Sequence, residues 1–193
     1  MKAIITFQGY TESDSGPTGT EDLYFDVVRH FASKHVTTYQ PRTWKSHTER
    51  LLDQLIRQRI HDVVLIGYSW GAGYACMRFA KLAPEWGIKV KLALLCDPVY
   101  RPLWMPSFLG ANPLCIGSLM QSKSIVVPES VQRVCWVRQK ISIPKGHNLK
   151  AKSPGTRIEA PKVLNYSHTS IDSAPAWHSM VRNELEFLLN PDS

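Results

Sequence analysis

At 193 residues, 44% of them hydrophobic, the chain is long enough to bury the core of one domain without disulfides or a structural metal. Its net charge of +7 gathers between Arg133 and Lys162, where eight Lys or Arg stand against one acid, Glu159, with no aromatic interleaving or groove-reading motif: no specific nucleic-acid recognition is expected, only a solvated loop or contact with an anionic surface. No apolar run reaches the length of a membrane span or a signal peptide, and the four cysteines (Cys76, Cys96, Cys115, Cys135) are spaced for neither a disulfide framework nor zinc, so a cytoplasmic protein with no metal and no cofactor is expected.

In chain order, six strand candidates alternate with helical stretches. They lie at Lys2 to Phe7, His35 to Tyr39, Asp62 to Ile66, Val90 to Cys96, Gln132 to Val137 and Lys162 to Tyr166. Such alternation predicts an α/β fold, a single domain over 1–193 whose mostly parallel six-stranded sheet carries helices on both faces. The first helix, Thr20 to Phe31, offers Tyr24, Val27, Val28 and Phe31 as its apolar face. Ser46 and Glu49 have the spacing of a capping box for a second helix with Leu51, Leu52, Leu55 and Ile56 as its buried stripe. The last helix begins near Ser173 with Pro175 in its first turn and stops at Asn190-Pro191.

The third strand ends in Gly67-Tyr68-Ser69-Trp70-Gly71, and Ala72, Ala75, Cys76, Phe79 and Ala80 then supply a helix face. A serine between two glycines in a strand-to-helix turn has its hydroxyl lifted clear of the sheet, and bulkier neighbours would crowd the turn. A serine hydroxyl needs a base to take its proton, and the base needs an acid to orient it. In an open parallel sheet such groups stand beyond the carboxyl ends of strands. Asp97 follows Leu92 to Cys96 directly, and His168 follows Val163 to Tyr166, which predicts Ser69, Asp97 and His168 as a catalytic set. Asp172, placed to cap the last helix, and Glu159 are the competing acids; His178, inside that helix, and His147, in the basic loop, are the competing bases.

On the Gly67 to Gly71 motif, the order Ser69, Asp97, His168 and the first-strand turn Phe7-Gln8-Gly9-Tyr10, the chain resembles the α/β-hydrolase superfamily, serine hydrolases of the lipase, esterase and thioesterase kind. The resemblance implies an oxyanion hole from the amide of Gln8 or Gly9 and that of Trp70. The early loop lacks the common His-Gly pair, and the acid stands one strand earlier than in most members, as in thioesterases. Residues 99–128, rich in Pro, Met and aromatics, are expected as a lid, with Tyr10, Tyr100, Trp104 and Phe108 lining a substrate pocket; residues 140–160 are expected as a basic loop. The expected function is hydrolysis of a small-molecule ester or thioester through an acyl-enzyme. An acyltransferase with the same triad, and a catalytically silent binding module on the same scaffold, are the alternatives.

Overall fold

The computed structural model describes residues 2–10, 12, 18–33, 35–99, 124–142 and 144–189. Its strands β1 (Lys2–Phe7), β2 (Val36–Arg42), β3 (Asp62–Tyr68), β4 (Lys89–Cys96) and β6 (Val131–Arg138) form the body of a sheet in the order β2-β1-β3-β4-β6. Two short strands, β8 (Arg157–Ile158) and β9 (Lys162–Val163), both pair with β6, so the sheet has seven strands and every pairing in it is parallel. A separate two-stranded parallel sheet joins β5 (Ile125–Val127) to β7 (Leu149–Ala151).

The helices divide between the two faces because the strands alternate. Ala3, Ile5 and Phe7 of β1 enter one core with Leu51, Leu52 and Leu55 of α2 (Thr48–Arg57) and Phe79 of α3 (Cys76–Leu82). Ile4 of β1 enters the other, with Leu23 and Val27 of α1 (Gly19–Phe31) and Trp177, Val181 and Leu185 of α4 (Pro175–Leu189). The pairing of β3 with β4 slips by one residue between Val63 and Val64, and Val90 and Leu92 consequently fall on opposite faces.

Local details differ from the expected ones where the sequence signal is short-range. The capping box belongs to α1: the Glu21 amide donates to the Thr18 hydroxyl and the Thr18 amide to the Glu21 carboxylate. Helix α2 begins one residue later than Ser46 implies, with His47 at its N-cap and no side-chain cap, because Ser46 is spent closing a turn onto the Thr43 carbonyl. The buried face of α1 is Leu23, Val27 and Phe31, with Tyr24 and Val28 at its edge. The expected last strand is cut to Lys162–Val163, and residues 140–160, expected as a basic loop, contain β7 and β8. Strands of two or three residues carry too few side chains to show a period. Within the expected lid, 100–123 lie outside the described residues, as do Cys115 and the Asn190-Pro191 helix stop, while the far end of the lid stretch forms β5.

Much of the basic excess is tied into the fold. Arg133 on β6 donates to Glu184 of α4 from both terminal nitrogens (2.6 and 3.2 Å) and to Glu159 from Nε (3.0 Å), and Arg157 also reaches Glu159 (2.8 Å). Arg138 lies over the Trp136 ring and donates to Asn148 and Gly146. Among the described residues no helix is long and apolar enough to cross a membrane. Trp177, 1% exposed, is the largest side chain in the second core. Replacing it with alanine is expected to cost about 3–5 kcal/mol of stability, read as the shift of a urea unfolding midpoint. A loss below about 1 kcal/mol would show that α4 is not anchored there.

Candidate active site

The parallel ladders continue past the ends of the strands, and this brings distant residues to one edge. The amide of Ser69 donates to the Cys96 carbonyl (3.0 Å), that of Asp97 to the Val137 carbonyl (2.9 Å), and that of Leu164 to the Arg138 carbonyl (2.9 Å). Ser69 and Asp97 thus stand side by side, one residue beyond β3 and β4. Both have left-handed backbones, φ of 52° and 40°, a conformation costing non-glycine residues about 1–3 kcal/mol and kept only where the surroundings enforce it. At Ser69 they do: its carbonyl accepts from the amides of Gly73 (2.9 Å) and Val99 (3.0 Å). A Cβ at Gly67 would meet Cys76 Sγ at 2.7 Å, and one at Gly71 would run into the Phe7 and Gln8 carbonyls, so the elbow closes only with glycine at both.

The three side chains meet in one chain of hydrogen bonds. Ser69 Oγ lies 2.9 Å from His168 Nε2, and His168 Nδ1 lies 2.6 Å from Asp97 Oδ2. With Nδ1 donating to the carboxylate, Nε2 presents its lone pair to the serine hydroxyl. Asp97 is fully buried, and Ser69 and His168 are 5% and 7% exposed. Tyr68 fixes the histidine's backbone by donating to the His168 carbonyl (2.6 Å), and the Ser142 hydroxyl accepts the His168 amide at 2.6 Å.

The competing residues stand elsewhere. Glu159 holds Arg133 and Arg157, and those guanidinium groups keep its carboxyl below the usual range. His178 Nε2 donates to the Asp172 carbonyl (2.8 Å), and His147, buried, donates its backbone amide to Pro98. Tyr10 packs its ring 4.3 Å from that of Trp70, which in turn meets Trp44 edge-on at 4.9 Å. Tyr100, Trp104 and Phe108 lie outside the described residues. The expected oxyanion donors Gln8 and Gly9 are both committed: the Gln8 amide donates to the Arg42 carbonyl (2.9 Å), and the Gly9 amide to Glu12 Oε2 (2.5 Å). The Gly9 bond exists because Glu12 folds back into the protein instead of facing solvent.

Glu12 is 7% exposed and also accepts from the Thr20 hydroxyl (3.0 Å) and the Thr20 amide (3.4 Å) at the start of α1. Its neighbour is Asp172, 4% exposed, whose carboxyl is hydrogen-bonded to Glu12 and to backbone amides of its own turn, Ile171–Ser173. Asp172 was expected to cap the last helix; it joins the turn after His168 to the loop after β1. Burial, and after it the charge of Glu12, pushes the Asp172 carboxyl up from 3.8 to about 7. A pairing 160 positions apart leaves no trace in local sequence. Cys76, Cys96 and Cys135 are buried free thiols, all pushed up first by burial, and read as packing groups.

No protein-family model matches the chain, and no curated protein does. Solved structures do match. The thioesterase domain SrfTE, which cyclises the lipopeptide antibiotic surfactin, aligns with 97% of this chain and 91% of its own at 14% identity, TM-score 0.55. Alpha/beta hydrolase domain-containing protein 10 from mouse aligns with 99% of this chain and 90% of its own at 12% identity, TM-score 0.53. The type II thioesterase BorB from the borrelidin biosynthetic cluster aligns with 95% and 92% at 11% identity, TM-score 0.51. At such identities the likeness is one of fold.

The carboxyl pair sets a pH dependence of stability. The folded chain keeps on Asp172 a proton that the unfolded chain releases from about pH 4 upward, so the parent loses stability as pH rises from about 4 to about 7. Asp172→Asn cannot titrate; relative to the parent it should gain on the order of a few kcal/mol across that window. Thermal melts of both proteins between pH 4 and 8 check this. Parallel curves would mean that the pair carries no shared proton.

Proposed function

We propose, on the premise that the chain has the α/β-hydrolase fold, that it is a serine hydrolase cleaving a carboxylic ester or thioester through an acyl-enzyme. The observation that carries this reading is the unbroken path from Ser69 Oγ through His168 to the buried Asp97. An apolar ligand site has no use for a serine held at a left-handed turn beside the lone pair of an imidazole.

In this reading Ser69 Oγ attacks the carbonyl carbon while His168 Nε2 takes the hydroxyl proton, and Asp97 stabilises the imidazolium. The tetrahedral oxyanion is met by the Trp70 amide, next after the nucleophile. The second donor that the resemblance implies, the amide of Gln8 or Gly9, is here hydrogen-bonded to the Arg42 carbonyl or to Glu12. Collapse breaks the bond to the alcohol or thiol, which leaves with the proton from His168. Water then attacks the acyl carbon by the same route, releasing the acid and restoring Ser69. Tyr10, half-buried over Trp70, is the described side chain best placed to line the acyl side.

Ser69→Ala is expected to lower turnover of short p-nitrophenyl esters by at least about three orders of magnitude with an unchanged melting curve. A fluorophosphonate should label the parent at Ser69, mapped by mass spectrometry. An alanine variant as active as the parent, or a parent that resists the reagent, would overturn the reading. Asp97→Asn is nearly isosteric but lets the imidazole take the wrong tautomer, and should cost about three to four orders of magnitude, mostly in kcat. Asp172→Asn, at pH 6, should cost less than about tenfold.

A further inference from the structure

Asp97 is an acceptor-only group with no exposed surface, so its oxygens must find donors inside the protein. His168 supplies one. Two of the other three come from a single residue, Gln139, which follows β6 and is itself fully buried. Its backbone amide donates to Asp97 Oδ1 (3.2 Å) and its side-chain Nε2 to Asp97 Oδ2 (3.1 Å), the oxygen that also holds His168 Nδ1. The remaining donor is the Gly146 amide, 3.0 Å from Oδ1, at a position where any Cβ would collide with that oxygen.

The same Gln139 side chain builds the loop that brings Gly146 there. Its Nε2 also donates to the carbonyls of Ser142 (3.1 Å) and Pro144 (2.8 Å), and its Oε1 accepts the amides of Ile141 and Ser142, both at 2.8 Å. Ser142 in turn accepts the His168 amide. One glutamine therefore touches the acid directly and reaches the base through Ser142. A hydrocarbon of the same length would leave two loop amides and two loop carbonyls without these partners.

We propose that Gln139 is the positioning residue of the site: it sets the carboxylate plane of Asp97 for His168 Nδ1 and holds the 139–146 loop against both members of the pair. This rests on the hydrolase reading for its consequence in turnover, but the geometry of the His168–Asp97 bond can be read without turnover. Only a glutamine or a residue with its donor and acceptor at the same distances serves both ends. Glutamate keeps the acceptor for Ile141 and Ser142 and turns the donor facing Asp97 into a second carboxylate.

The test compares the parent with Gln139→Met and Gln139→Glu. Two readouts are used: the downfield proton resonance of His168 Nδ1–H with its pH titration by NMR, and steady-state kinetics on p-nitrophenyl esters. In Gln139→Met the downfield resonance should broaden or vanish, and kcat should fall roughly 10- to 100-fold with KM within about threefold. In Gln139→Glu the second buried carboxyl should either ionise and raise the His168 titration, and the acid limb of kcat/KM with it, or share a proton with Asp97, as Asp172 does with Glu12, and displace the His168 Nδ1–H resonance. Variants that melt lower but keep the parental resonance, titration and kcat would overturn the proposal and leave Gln139 as a loop strut alone. If Gln139→Met does not fold, Gln139→Glu decides by its titration and resonance together: both parental would overturn the proposal. Failure of fluorophosphonate labelling at Ser69 would strike the hydrolase reading instead, with the NMR readouts still deciding the role of Gln139.

Discussion

A carboxylate with no exposed surface is the constraint around which the edge of this sheet is organised. Burying Asp97 without donors would cost several kcal/mol and would drive the group to take up a proton or the strand end to open. Among the described residues four donors prevent this: two from Gln139, one from Gly146 and one from His168. Because these come from the end of β6, the loop after it and the turn after β9, satisfying one carboxylate fixes three separate segments relative to β4. The left-handed backbone at Asp97 turns its side chain toward them, and the residue before it, Cys96, accepts the Ser69 amide. The nucleophile and the acid are therefore placed by the ends of two neighbouring ladders, β3 with β4 and β4 with β6, and the histidine is placed by the acid.

The parts of this arrangement legible in the sequence are those carried by long apolar runs. Val63 to Ile66 and Leu92 to Cys96 declare buried strands, and in a parallel sheet the residues just past such runs share an edge, so the sequence alone sets Ser69 and Asp97 side by side. His168 was reached by the same logic, although its strand has only two residues; the bond from the Leu164 amide to Arg138 extends the ladder just far enough. Where that reasoning stopped, the determinants are non-local. Gln139 has no motif, and nothing about a glutamine after a strand says that five hydrogen bonds end on its side chain. The Ser46 to Glu49 spacing met the template of a capping box as well as Thr18 to Glu21 does, and only the preceding turn decides between them.

The loop after β1 shows the same limit from another side. A glycine there reads as an amide available to a ligand, and Gln8 and Gly9 were assigned that task by resemblance. The fold spends both amides on itself, Gln8 in extending the pairing toward β2 and Gly9 in satisfying Glu12. An acidic residue in an acidic stretch reads as solvated surface, yet Glu12 is buried because the start of α1 offers the Thr20 amide and hydroxyl, donors that the first turn of a helix leaves unpaired. In the basic stretch, pairings that composition does not show hold part of the charge: Arg133 meets Glu184 and Glu159, Arg138 lies over the Trp136 ring and donates to Asn148, and the exposed Arg157 reaches Glu159.

The two buried acids of the site, Asp97 and Asp172, are handled in different ways, and the difference follows from their neighbours. Asp97 faces donors on all sides and one imidazole, which matches a carboxylate that stays an acceptor. Asp172 faces another carboxyl, Glu12, and burial with that like charge keeps it protonated to about pH 7. Protonated, it has a hydrogen to give to Glu12, and Glu12 in turn holds Gly9, so the turn after His168 is tied by a proton to the loop that faces Ser69 from β1. One half of the site is thus fixed by a charge fully paired with donors and the other by a charge that is suppressed. The second arrangement weakens as pH rises toward about 7, because the proton joining the two carboxyls is released over that range.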